Sequence, residues 1–117
     1  MSAILVNLFE VPAGNEEAFL DFYRRINAYM RAKPGFVGNR LHRSLGPDAR
    51  YRFVNVVEWE SAQACQDGHD AGFRAIVGPP DRLPFTSTPA VYELADVQPS
   101  SSTSAASSAQ VATRTSP

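Results

Sequence analysis

Residues Tyr51 to Glu60, YRFVNVVEWE, alternate between two faces and are rich in β-branched and aromatic side chains, which is the pattern of a strand. The alternation puts Phe53, Asn55, Val57 and Trp59 on one face and Arg52, Val54, Val56 and Glu58 on the other. The first face is apolar except for one amide and one indole N–H. Either group left unpaired in a dry interior costs about 1–3 kcal/mol. The face is therefore a core with local hydrogen bonds or the wall of a ligand pocket. The residues of this strand leave both readings open.

The rest of the chain must supply what packs against that strand. At 117 residues it is long enough for one domain with a core of its own. A formal net charge of -1 and the lack of a basic run give nothing to neutralise phosphates, so nucleic acid is not an expected partner. The single Cys65 forms no disulfide within the chain, which suits a reducing cytoplasm. No apolar run approaches the ~20 residues of a membrane span, and the first residues lack a signal-peptide pattern. The expectation is a soluble cytoplasmic protein.

Ala3 to Val11 reads as a buried strand with Ile4, Val6 and Leu8 on one face and Leu5, Asn7 and Phe9 on the other. Pro12-Ala13-Gly14 ends it, and Asn15 is placed to cap a helix with Glu16 and Glu17 in its first turn. That helix is expected to reach Ala32, with Phe19, Phe22, Tyr23, Ile26, Tyr29 and Met30 on its apolar stripe. Arg31 and Lys33 suit its C-terminal dipole, and Pro34-Gly35 stops it. Phe36 to Ser44 is a second strand, and the loop Leu45 to Arg50 makes it an antiparallel hairpin partner of Tyr51 to Glu60. Ser61 caps a helix interrupted at Gly68, and Asp70 to Val77 is a second helical piece presenting Phe73. Arg82 to Pro89 reads as loop and Ala90 to Ala95 as the last strand. From Gln98 the chain is Ser, Ala and Thr, too poor in apolar residues to offset its ordering entropy, so residues 98–117 read as a disordered tail after a domain of residues 1–97.

The order β-α-β-β-α-β predicts an α+β, ferredoxin-like fold with helices on one face of a four-stranded antiparallel sheet. The other face would carry Ile4, Val6, Leu8, Val54 and Val56. An apolar sheet face without a cover predicts a partner surface, and a second copy of the chain is the economical partner. A homodimer is expected.

Three stretches, EVPAG at Glu10 to Gly14, PGF at Pro34 to Phe36 and VNVVEWES at Val54 to Ser61, resemble the antibiotic biosynthesis monooxygenase family. The resemblance covers about Ala3 to Asp96 and implies the dimeric α+β barrel fold. Its anthrone-oxygenase branch implies a pocket lined by Asn55, Trp59 and Arg74, with Asn7 on the first strand. Tyrosines of one such branch fall near Leu41 and Cys65 here. The haem-degrading branch implies a first-strand Asn, a Trp in the helix after the third strand and an iron-ligating His. Asn7 fits that set, but the helical Trp position is Gly68, the ligand position falls near Val77 and Gly78, and His69 lies too early.

The first expectation is thus a cofactor-independent monooxygenase acting on an anthrone-like aromatic polyketide with O2. The alternatives are a haem-binding or haem-degrading enzyme and a non-catalytic or cyclase-type protein that holds an aromatic ligand. In the first reading Asn55, Trp59 and Arg74 are catalytic, and Asn7, His42, Phe53 and Phe73 bind substrate. Amide and indole N–H groups can donate to substrate oxygens, and a guanidinium stabilises an anionic one. His42 is the imidazole considered as proton acceptor. Each residue also has an ordinary reading: Asn55 bonded to a neighbouring loop, Trp59 as core, Arg74 solvated on its helix, and His42 and His69 on the surface. Cys65 reads as a small apolar filler. Asp67, His69 and Asp70 have irregular spacing for metal ligands, so no metal is assigned.

Overall fold

The computed structural model describes residues 2–101. Strands β1 (Ala3–Glu10), β2 (Phe36–Arg43), β3 (Phe53–Trp59) and β4 (Thr86–Tyr92) form one sheet in the order β2-β3-β1-β4. Every pairing is antiparallel. Helix α1 (Glu16–Met30) follows β1, and α2 (Ala62–Gly68) and α3 (Ala71–Val77) follow β3. This is the ferredoxin-like arrangement expected, with the second helix delivered as two short pieces. Residues 102–117 of the expected tail lie outside the described residues, while 98–101 are exposed and belong to no helix or strand.

Alternation decides which residues meet the helices. Leu5 pairs with Val57, Asn7 with Asn55 and Phe9 with Phe53, so the inward rows of β1 and β3 lie side by side. A bulge between Phe36 and Gly38 resets the phase of β2, leaving Val37 54% exposed while Phe36 lies opposite Trp59 and Asn39 opposite Val57. Without the extra residue Phe36 and Asn39 could not both face the helices, because positions three apart on a strand point to opposite sides. Two buried clusters result: Leu5, Met30, Val57, Trp59 and Cys65 at one end, and Phe9, Phe19, Phe53 and Phe85 at the other. In the second, the Phe19 ring stacks on Phe53 at 4.6 Å and meets Phe85 edge-on at 5.3 Å. Ile4, Val6, Leu8, Val54 and Val56 occupy the outer sheet face and are half-buried.

Four local expectations change. Asn15 sits before α1 but its side chain makes no capping bond, and the helix ends at Met30 rather than Ala32. Lys33 lies beyond the last turn and pairs instead with Asp70, which caps α3 by accepting from the Phe73 N–H at 3.0 Å. Ser61 does cap α2, accepting from the Ala64 N–H at 3.0 Å. The last strand starts at Thr86, four residues before the expected Ala90, and includes Pro89. Proline is tolerated there because β4 is an edge strand, where a missing N–H need not leave a neighbour unpaired.

Candidate active site

Between the sheet and the helices lies a cavity of about 320 Å³. Its floor is the inward row of β1 and β3, including Asn7, Asn55, Val57 and Trp59, and its walls come from α1, α3 and the segment leading into β4. Most of the lining is aromatic or aliphatic, the usual character of a small-molecule site in which few polar groups fix orientation.

Those polar groups are arranged specifically. Asn39 Nδ2 donates to the Tyr23 hydroxyl at 2.7 Å and to Asn55 Oδ1 at 3.0 Å. The first bond holds Asn39 and the second occupies the Asn55 carbonyl, while the Asn55 amide N–H groups have no partner among the described residues. Asn7 Oδ1 and Trp59 Nε1 are buried with no hydrogen-bond partner. Each costs about 1–3 kcal/mol while unpaired; a small shift of either side chain toward the cavity its residue lines would let a ligand hydroxyl pair with Asn7 or a ligand oxygen with Trp59.

Trp59 is held closely. It is 1% exposed, Phe36 meets it edge-on at 5.4 Å, and His69 lies 5.9 Å away. Its ring rests on Gly68, where a Cβ would come within 2.6 Å of Cη2. The glycine is therefore the complement of the tryptophan: a side chain at 68 and the indole cannot occupy the same space.

Asn7, Asn55, Trp59 and Phe73 line the cavity, as the sequence reading placed them. Three other candidates do not. Arg74 is exposed and donates to the backbone carbonyl of His69 at 3.0 Å, because one step along α3 from Phe73 turns a side chain about 100° away. His42 pairs with Val54, on the outer sheet face, and is exposed. Phe53 is 1% exposed beneath Phe19 and belongs to the core rather than to the cavity wall.

His69, read from sequence as a surface residue, is half-buried and lines the cavity. Its Nδ1 lies 2.6 Å from the Cys65 carbonyl oxygen, and its ring meets Phe73 at 4.8 Å. Asn39 and Tyr23 were also passed over. Asn39 is one of four polar or charged residues in the β2 stretch FVGNRLHR, so its polarity did not single it out, and the bulge that turns it inward has no clear mark in the residues.

Around the site, Asp70 ties α1 to α3. It pairs with Lys33 and accepts from the Tyr29 hydroxyl at 2.7 Å. Lys33, the Phe73 N–H and Tyr29 together hold its carboxyl well below the usual carboxylate range. Burial pushes the Cys65 thiol up, so it stays protonated and unreactive. Among the described residues no three His, Cys, Asp or Glu side chains converge as metal ligands would. None of their helices is long and apolar enough to cross a membrane.

The structure is thus an α+β domain with a ferredoxin-like sheet and a partly open, largely aromatic cavity between sheet and helices. The profile of the antibiotic biosynthesis monooxygenase family matches residues 2–72, and the chain belongs to that family. Comparison with curated protein sequences returned no match. Among solved structures, the chain is similar to SnoaB, a cofactor-independent oxygenase from Streptomyces nogalater, at 24% identity and a TM-score of 0.68, covering 85% of this chain and 98% of that one. It is also similar to the haem degrader MhuD from Mycobacterium tuberculosis, solved with two haems in its active site, at 29% identity and a TM-score of 0.60 over 82% and 99% of the two chains.

Haem requires an axial donor and room for a macrocycle. His69 is the one imidazole on the cavity wall, but Trp59 fills the space over Gly68 that a helical tryptophan would need. The residues present do not fit the haem-degrading set, and no step through haem is derived.

Proposed function

We propose that this chain is a cofactor-independent monooxygenase that oxidises a planar hydroxylated aromatic ketone of the anthrone type with O2. The observation that carries this reading is the pair of buried, unpartnered atoms, Asn7 Oδ1 and Trp59 Nε1, on two residues that line a mostly apolar cavity. An anthrone offers complementary groups: phenolic hydroxyls to donate to Asn7 and a carbonyl oxygen to accept from Trp59 or Asn55. Family membership supports the oxygenase class. The cavity, about 320 Å³, lies at the small end of ligand sites and suits a fused tricyclic ring system.

The chemistry follows from the substrate's electron supply. Loss of a proton from the activated CH2 leaves an electron pair delocalised onto the ketone oxygen. That enolate gives an electron to O2, and recombination forms a C–O bond and a peroxide anion. Loss of the second hydrogen from the same carbon with O–O cleavage gives a ketone and hydroxide, so CH2 and O2 become C=O and H2O. The protein's part is to orient the rings, exclude water and stabilise the enolate oxygen. Trp59 and Asn55 are the N–H donors for that oxygen.

A second copy covering the apolar outer sheet face is also part of this reading, supported by Ile4, Val6, Leu8, Val54 and Val56. A mass in light scattering that matches one chain would rule it out.

Oxygen-electrode measurements with dithranol, a dihydroxyanthrone, test the site. The wild type consumes O2 without added metal or flavin. Asn55→Ala and Trp59→Phe each lose about 100- to 1,000-fold in turnover, the usual loss for one oxyanion donor. Wild-type rates in both variants would remove the proposed site. Binding of dithranol without oxygen uptake would instead favour a protein that only holds its ligand.

A further inference from the structure

We propose that His69 is the proton acceptor of this site, its Nε2 removing the C–H proton that starts oxidation. The proposal rests on the oxygenase reading above. Tyr23 and His69 are the titratable side chains on the cavity wall among the described residues, and no carboxylate faces the cavity. The Tyr23 hydroxyl is committed to Asn39, from which it accepts at 2.7 Å.

The imidazole is oriented for this work. Nδ1 lies 2.6 Å from the Cys65 carbonyl oxygen. A carbonyl can only accept, so Nδ1 carries the hydrogen and the neutral ring's lone pair sits on Nε2. No hydrogen bond to Nε2 is made among the described residues. Trp59 and Phe73 flank the ring at 5.9 and 4.8 Å, so the base stands beside the indole that would receive the substrate oxygen. The backbone on either side is fixed as well. Arg74 donates to the His69 carbonyl, and Asp70 caps α3 while bound to Lys33 and Tyr29.

In the step itself the Nε2 lone pair takes the proton, the C–H bond breaks and its electron pair stays on the substrate as the enolate. After O2 has reacted, the imidazolium returns its proton to the departing hydroxide as water. The base is thereby restored, and the only oxidant is O2.

Anaerobic deuterium exchange tests this step apart from oxygen chemistry. With dithranol in D2O, NMR follows deuterium entering the methylene carbon. The wild type accelerates exchange over buffer. His69→Gln lowers that acceleration at least about 100-fold, while quenching of Trp59 emission by dithranol shows that binding persists. His69→Ala also loses exchange, and added imidazole restores it, which a purely structural role would not allow. Exchange by His69→Gln at the wild-type rate overturns the base assignment alone. No acceleration by the wild type overturns the oxygenase reading itself. Nitrogen NMR on a His42→Ala background, where His69 is the sole imidazole, should show the Nδ1–H tautomer; the Nε2–H tautomer would overturn the proposal without reference to turnover.

Discussion

Gly68→Ala is the smallest change that tests how the indole is seated. The new methyl falls 2.6 Å from Trp59 Cη2 and 3.1 Å from Cζ3, whereas ordinary contact begins at 3.4 Å. The ring must therefore retreat by roughly 0.8 Å, the difference between 3.4 and 2.6 Å. It has little room, being 1% exposed and wedged between Phe36 and His69. Overpacking of this kind costs about 1–3 kcal/mol. Replacing a helical glycine by alanine returns about 0.5–1 kcal/mol. The net loss is on the order of 1–2 kcal/mol, or roughly 5–15 °C in Tm for a domain of this size. Thermal unfolding followed by Trp59 emission measures both consequences at once, because Trp59 is the sole tryptophan. An equal or higher Tm with unchanged emission would refute the argument that the indole and Gly68 share one tightly filled space.

Asp70→Ala should lower Tm at neutral pH by removing the cap of α3 and its tie to α1. Because the folded Asp70 carboxyl is held below its ordinary range by Lys33, the Phe73 N–H and Tyr29, its stabilisation is complete above the unfolded carboxylate pKa and fades as pH falls toward the folded value. The Tm gap between wild type and variant should therefore shrink below about pH 4; a gap that is constant down to low pH would contradict the assigned cause. Arg74→Ala removes only the guanidinium's bond to the His69 carbonyl and should lower kcat/KM by no more than about tenfold, the worth of one such hydrogen bond. A loss of two orders of magnitude in the oxygen-electrode assay would return Arg74 to the reaction.

Much of this architecture was legible because alternation on strands survives folding. The inward row Phe53, Asn55, Val57 and Trp59 was read directly from the period of two, and its register against Leu5, Asn7 and Phe9 follows the same rule. The sequence failed where one residue changes the phase. Arg74 was placed in the pocket by the family resemblance, yet helical geometry turns it outward beside the inward Phe73. His42 was chosen for its imidazole, but it lies one residue from Leu41, which pairs with Asn55 on the inner side, and so faces outward. The start of β4 was hidden by its polar residues and Pro89, which read as loop unless the strand is known to lie at an edge. His69 was missed because it sits in the link between two short helices, where no periodicity says which way a ring points.

Asn7 and Asn55 are directly opposite each other on adjacent strands, so the gap between these two amides is a property of sheet geometry rather than of any loop. A slip of β1 by one residue would turn Asn7 out of the cavity and leave Asn55 without its counterpart. The roof is built differently, from Phe73, Val77, Leu83 and Phe85 on α3 and the segment before β4. Ligand shape can thus be retuned by exchanging roof side chains while the polar reading frame beneath stays in place. In such a scaffold, new substrates call for a change of ceiling and leave the foundations alone.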